Sequence, residues 1–167
     1  MIGPFDGWLG ALTFATALGC GLVGGVFFAF STFVMPALAR LPAAQGIAAM
    51  QSINVAVITP SVMVPLFGTG AACLLLAVAS LLTPSRPGRW LVLAGAVLYV
   101  AGTVLVTIVG NVPLNDSLAA VDAAGAEGAR VWAFYLTAWT AWNHVRTIAA
   151  LAAAAALTLA LLSGRSH

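Results

Sequence analysis

Four long apolar stretches dominate the chain, covering about residues 8–35, 60–82, 90–110 and 131–162. Each is long enough to cross a hydrocarbon layer of about 30 Å as a helix of roughly 20 residues. Pro36 and Pro113 are expected to close the first and third spans, because proline supplies no backbone N–H to continue a helix.

The segments between them differ in kind. "ALARLPAAQGIAAMQSINVAVI" (37–58) is less apolar, and Ile47, Met50, Ile53 and Val57 recur at helical spacing. Gln45, Gln51, Ser52 and Asn54 fill polar positions, so a short amphipathic helix is expected, at the membrane interface or folded into the bundle mouth. "TPSRPGR" (83–89) reads as a tight basic turn. "NVPLNDSLAAVDAAGAEGAR" (111–130) carries three of the four acidic residues, and a second short amphipathic helix is expected there. "SGRSH" is a polar tail. The expected fold is an all-α integral membrane protein: one domain over 1–167, a four-transmembrane-helix bundle with short helices in its two outer loops.

Composition agrees. Hydrophobic residues make up 62% of the 167, charged residues only 6%, and mean hydropathy is +1.09. A soluble domain carries about 25% charged residues to cover its surface. The net charge of +2 comes from six Arg and no Lys. No stretch gathers several of them, so no nucleic-acid partner is expected. Cys20 and Cys73 lie within apolar runs, without C-x-x-C or metal-ligand spacing, and read as small packing residues. Ala37-Leu38-Ala39 resembles a signal-peptidase site, but the apolar run before it is about twice the usual length and no Lys or Arg precedes it. A retained first span is expected. Ala17, Gly21, Gly25 and Ala29 form a small-residue ridge on that span, where another helix could approach closely, either in this chain or in a homo-oligomer.

Arginine placement sets the expected orientation. Arg86, Arg89 and Arg165 fall on the side of both termini, against Arg40 and Arg130 with three acids on the other side. The slight excess predicts a cell-membrane protein with cytoplasmic termini and two outward-facing excursions.

Span four raises the chemical question. "WNHVR" (142–146) places Asn143, His144 and Arg146 within an otherwise oil-soluble helix. Counting back about 20 residues from Leu162 sets them near the outer boundary of the hydrocarbon. At that level Trp132, Tyr135, Trp139 and Trp142 suit an aromatic belt, and a snorkelling Arg with an interfacial His is the bland interpretation. On an ideal helix Trp132, Leu136, Trp139, Asn143 and Arg146 share a face, with Tyr135 and Trp142 along its edge. His144 falls about 160° from Arg146, with Thr137, Thr140 and Thr147. Both stripes could meet protein only if the helix were packed on most sides or broken locally. Thr103, Thr107 and Asn111 line one face of span three and lead to Asn115 at the same mouth. Capping and turn chemistry is the plain alternative for the two Asn.

"NVPLN" (111–115) followed by "WAFYLTAWTAWNHVR" (132–146) resembles the anthrone oxygenase family of small four-helix membrane proteins. "GVFFAFSTFVMPAL" (25–38) and "MQSINVAVITP" (50–60) look like that family too. The resemblance implies oxidation of a lipophilic anthrone or related phenol to a quinone by O₂, with no flavin, haem or metal. It assigns His144 as base, Arg146 as oxyanion holder and Asn143 with Asn111 or Asn115 as hydrogen-bond donors. Trp139, Trp142 and Tyr135, with phenylalanines of span one, would sandwich a flat ring. The rival reading is a non-catalytic membrane protein, a small carrier or a packing subunit. Against transport, spans one and two hold no ionisable residue in their interiors. A haem or copper site at His144 with Met35, Met50 or Met63 would lack ligands.

Overall fold

The computed structural model describes residues 4–163 and contains five helices among them. Four are long and apolar enough to cross a membrane: α1 (Gly7–Leu38), α3 (Pro60–Leu82), α4 (Arg89–Ala119) and α5 (Ala126–Ser163). The fifth, α2 (Ala43–Ala56), connects α1 to α3. Only 28% of the most apolar window of α1, α3 and α4, and 39% of that of α5, is buried within the protein. The remainder exposes Leu, Val and Phe that water would not tolerate and lipid does. This is an integral membrane bundle. Residues 164–167 of the expected polar tail, with Arg165, lie outside the described residues.

The spans form a ring in which α5 packs on α1 and α4, and α3 packs on α4 and α1. Close approach of α1 depends on Gly19, which meets Thr69 of α3, and Gly24, where an added Cβ would lie 2.9 Å from Leu151 of α5. These are not the expected contact residues. Gly21 and Gly25 of the predicted ridge face open space, with no atom within 4 Å of an added Cβ. Between α3 and α4 the expected tight turn is present. Gly88 adopts φ +73°, and its backbone lies against Ala160 so closely that an added Cβ would be 3.0 Å from the Ala160 carbonyl.

Two predicted helix ends fall elsewhere. Pro36 lies within the continuous α1, and Pro113 within α4, which runs on to Ala119. The expected short helix of the second outer loop therefore exists as Val112–Ala119, continuous with its span. Wide π-helical turns precede both prolines, over Phe30–Val34 and Thr107–Asn111. There the N–H of Met35 reaches back to the Phe30 carbonyl, and that of Val112 to the Thr107 carbonyl. The i−5 pairing changes the local register, so the helix continues through a residue that has no N–H. Two more wide turns occur at Val64–Gly68, containing Pro65, and Val100–Leu105.

Helix lengths create a space at one end. At 1.5 Å per residue, the 38 residues of α5 reach about 57 Å and the 23 of α3 only about 35 Å. α1, α4 and α5 thus overshoot α3, and α2 folds into the mouth above it. Gly46, Ile47 and Met50 of α2 are buried. Gly46 sits so near Trp132 that an added Cβ would be 2.8 Å from its ring. Gln51 Nε2 donates to the carbonyls of Leu118 (2.8 Å) and Val121 (3.1 Å), tying α2 to the end of α4. Two apolar clusters result. One fills the bundle around Cys20, Cys73, Leu76, Tyr99, Ala153 and Leu157, and both cysteines are free thiols within it. The other lies under α2 around Met35, Ile47, Met50, Leu118, Trp132 and Tyr135.

Candidate functional site

A layer of polar side chains separates the two clusters, and Arg146 is its centre. α5 is α-helical throughout, with no break, so Trp132, Tyr135, Trp139, Asn143 and Arg146 follow one another along its buried face at spacings of three and four. Thr147, expected on the His144 stripe, is buried beside them, because α1 and α4 cover more than one stripe of α5 at this level.

Arg146 is 4% exposed. Its Nη2 donates to Asn143 Oδ1 at 2.7 Å and its Nη1 to Thr107 Oγ1 at 3.2 Å. Phe27 of α1 and Trp139 lie against the guanidinium, with ring centroids 4.1 and 5.2 Å from Cζ. Nε has no protein partner, and no carboxylate pairs with the group among the described residues. The burial is not a snorkel. The guanidinium is enclosed by side chains of α1, α4 and α5 and does not reach out to the surface.

Asn143 holds the cation in place. Its Nδ2 donates to Ser31 Oγ and to the Phe27 carbonyl, both at 2.7 Å, fixing α5 to the wide turn of α1. Both donors of the amide are thereby occupied, and its oxygen faces Arg146. Thr107 completes the fork by donating its own proton to the Thr103 carbonyl at 2.7 Å, leaving its oxygen to accept from Arg146.

Above the layer lies a cavity of about 440 Å³, in the range that holds small organic ligands. Arg146, Trp139, Phe27, Phe30 and Thr107 border its lower part, and Met50, Asn54 and Ile58 come from α2 and the linker after it. Its lining includes hydrophobic residues exposed on the outer surface, among them Val26, Val55, Ile58 and Phe67. Asn115 is a wall residue whose Oδ1 accepts from Tyr135 Oη (2.8 Å) and Trp139 Nε1 (2.9 Å). Two donors on one oxygen fix the amide orientation, and its NH₂ has no partner among the described residues. Trp132, Tyr135 and Trp139 stack in a column with centroids 5.7 and 6.0 Å apart, and Phe30 meets Trp139 at 5.8 Å.

The residues singled out from the sequence thus separate. Arg146, Asn115 and Trp139 border the cavity, while Asn143 and Tyr135 stand behind it as supports. Asn111 is buried, donates to the Trp139 carbonyl at 3.2 Å and lies off the lining. Trp142 packs over Gly110, half-exposed and away from the cavity. His144 is exposed on the opposite side of α5, so the structure does not bring it to Arg146. Ser31 and Asp116 carry no signal in the sequence: one is a small hydroxyl beside Thr32 in a run of phenylalanines, the other one of three acids in a loop segment.

These features define a class: a four-span membrane bundle with a ligand-sized apolar cavity over a buried, carboxylate-free guanidinium. The sequence pattern of the family described as Anthrone oxygenase matches residues 62–156, more than half of the chain, from within α3 to beyond Arg146 in α5. The chain belongs to the anthrone oxygenase family. The family-like stretches at 25–38 and 50–60 fall outside the matched range. No curated protein and no solved structure matches the chain.

Proposed function

We propose that this protein is a membrane-embedded oxygenase that converts a lipophilic anthrone, or a related phenol, to a quinone with O₂ and no bound cofactor. The observation that carries the reading is Arg146, a buried cation that no carboxylate pairs with among the described residues, at a largely apolar cavity. Holding such a charge in hydrocarbon costs about 2.5–3.5 kcal/mol even on insertion scales. An anionic oxygen of the substrate would supply the missing countercharge.

In the reaction, the ring CH₂ of the anthrone becomes C=O and the second oxygen atom of O₂ leaves as water. Loss of a CH₂ proton places negative charge on the ring oxygen. Arg146, preorganised by Asn143 and Thr107, receives that charge, and the NH₂ of Asn115 is a further donor within the cavity. Trp139, Phe27 and Phe30 offer faces for a flat polycycle. The apolar rim at Val26, Ile58 and Phe67 favours entry from the lipid. Placing the termini in the cytoplasm, as the arginine bias suggests, would turn the cavity end outward in the cell membrane.

The test is O₂ uptake by detergent-purified protein with a simple anthrone, compared with Arg146→Gln. Turnover above the spontaneous rate, reduced at least 100-fold in the variant, is expected. A wild type no faster than buffer overturns the reading. A second reading, a non-catalytic carrier or packing subunit, draws support from the outward-facing Gly21 and Gly25, which also suit a homo-oligomer.

A further inference from the structure

The oxygenase reading needs a base for the ring CH₂, and His144 faces away from the cavity. We propose that Asp116 is that base, a catalytic residue at the opposite end of the cavity from Arg146. The inference rests on the oxygenase reading and adds a residue to it.

Among the residues bordering the cavity, Asp116 is the one carboxylate and Arg146 the one cation. They form no ion pair. Thr107, which accepts from Arg146, and Asp116 are nine residues apart on α4, roughly 13 Å along the axis. Side chains on a helix lean toward its N-terminus, so Asp116 leans back toward the Thr107 end. Asp116 is exposed at the rim of the same cavity, and a flat ring with its oxygen on Arg146 would turn its reacting carbon toward that carboxylate. Asn115, next in the chain, is locked by Tyr135 and Trp139, which steadies this turn of α4.

A carboxylate can remove a proton next to a carbonyl system when an oxyanion site takes the charge. The Asp116 carboxylate takes one CH₂ proton, and the C–H electron pair moves into the ring to give the enolate on Arg146. The enolate carbon is oxidised by O₂: a C–O bond forms, and the peroxide anion takes the proton back from Asp116. Asp116 then removes the second hydrogen as its C–H pair forms C=O and the O–O bond breaks. The departing hydroxide takes that proton and leaves as water. Carbon is oxidised from CH₂ to C=O, and O₂ is reduced.

The proton step can be read without oxygen. Wild type, Asp116→Asn and Asp116→Glu are incubated anaerobically with anthrone in D₂O, and deuterium entering the CH₂ is followed by mass spectrometry. Quenching of tryptophan fluorescence by anthraquinone reports binding separately, and O₂ uptake reports turnover. Exchange and turnover are expected to fall at least 100-fold in Asp116→Asn, with quenching retained and partial rescue in Asp116→Glu. Asp116→Asn that exchanges and turns over like wild type overturns the base role and leaves the oxygenase reading intact. Loss of quenching together with exchange overturns it too, and makes Asp116 a binding residue. A wild type that neither exchanges nor consumes O₂ above buffer overturns the oxygenase reading and this inference with it.

Discussion

Asn143 Oδ1 accepts a 2.7 Å hydrogen bond from Arg146, one turn further along the same helix. Because Asn143 also donates to Ser31 and to the Phe27 carbonyl, the position of the cation and the docking of α1 on α5 depend on one amide. Asn143→Ala removes both donors and leaves buried polar groups without partners. The expected loss is about 1–3 kcal/mol of stability for a buried group stranded in this way. Thermal unfolding in detergent measures it, and an unchanged midpoint would show that Asn143 does not hold these helices together.

Arg146→Lys keeps the charge and loses the fork. An ammonium cannot reproduce the planar guanidinium that reaches Thr107 and Asn143 while lying between Phe27 and Trp139. Anthrone-dependent O₂ uptake is expected to drop nearly as far as in Arg146→Gln. Wild-type turnover in the Lys variant would mean that charge alone matters and the geometry does not.

His144→Ala is expected to change little. The imidazole is exposed and makes no hydrogen bond among the described residues. Surface substitutions of this kind stay within about 0.5 kcal/mol. Stability and O₂ uptake should both match wild type, whereas a large loss of turnover would restore His144 to the site.

Two glycine substitutions separate the fold from self-association. A Cβ on Gly102 would lie 2.5 Å from Ala149 Cβ, a contact with no flexible end to yield, so Gly102→Val should force α4 from α5. Overpacking of this kind costs about 1–3 kcal/mol, visible as a lower unfolding temperature. A Cβ at Gly21 meets nothing within 4 Å, so Gly21→Val should leave the monomer's stability unchanged. If the outward ridge joins two copies, the same change lowers the oligomer fraction in light scattering. An unaltered fraction would exclude that face.

The apolar pattern alone was enough to place four spans and the intervening α2, since hydrocarbon length and backbone satisfaction leave few alternatives. It also brought out Arg146, because a permanent charge within an oil-soluble helix has to be accounted for. Helical spacing set His144 opposite Arg146, and the unbroken α5 kept it there. Pattern could not reveal that Pro36 and Pro113 ride through their helices, because proline penalties assume i−4 pairing and the wide turns abandon it. Nor could it choose between Gly21 and Gly19 as the residue that meets a neighbouring helix, since both are small and only the rotation of α1 in the bundle decides. Tertiary structure alone made the site. A short α3 beside three longer helices left a space, α2 covered it, and partners on three helices, Phe27, Thr107 and Asn143, turned a costly buried cation into an ordered one.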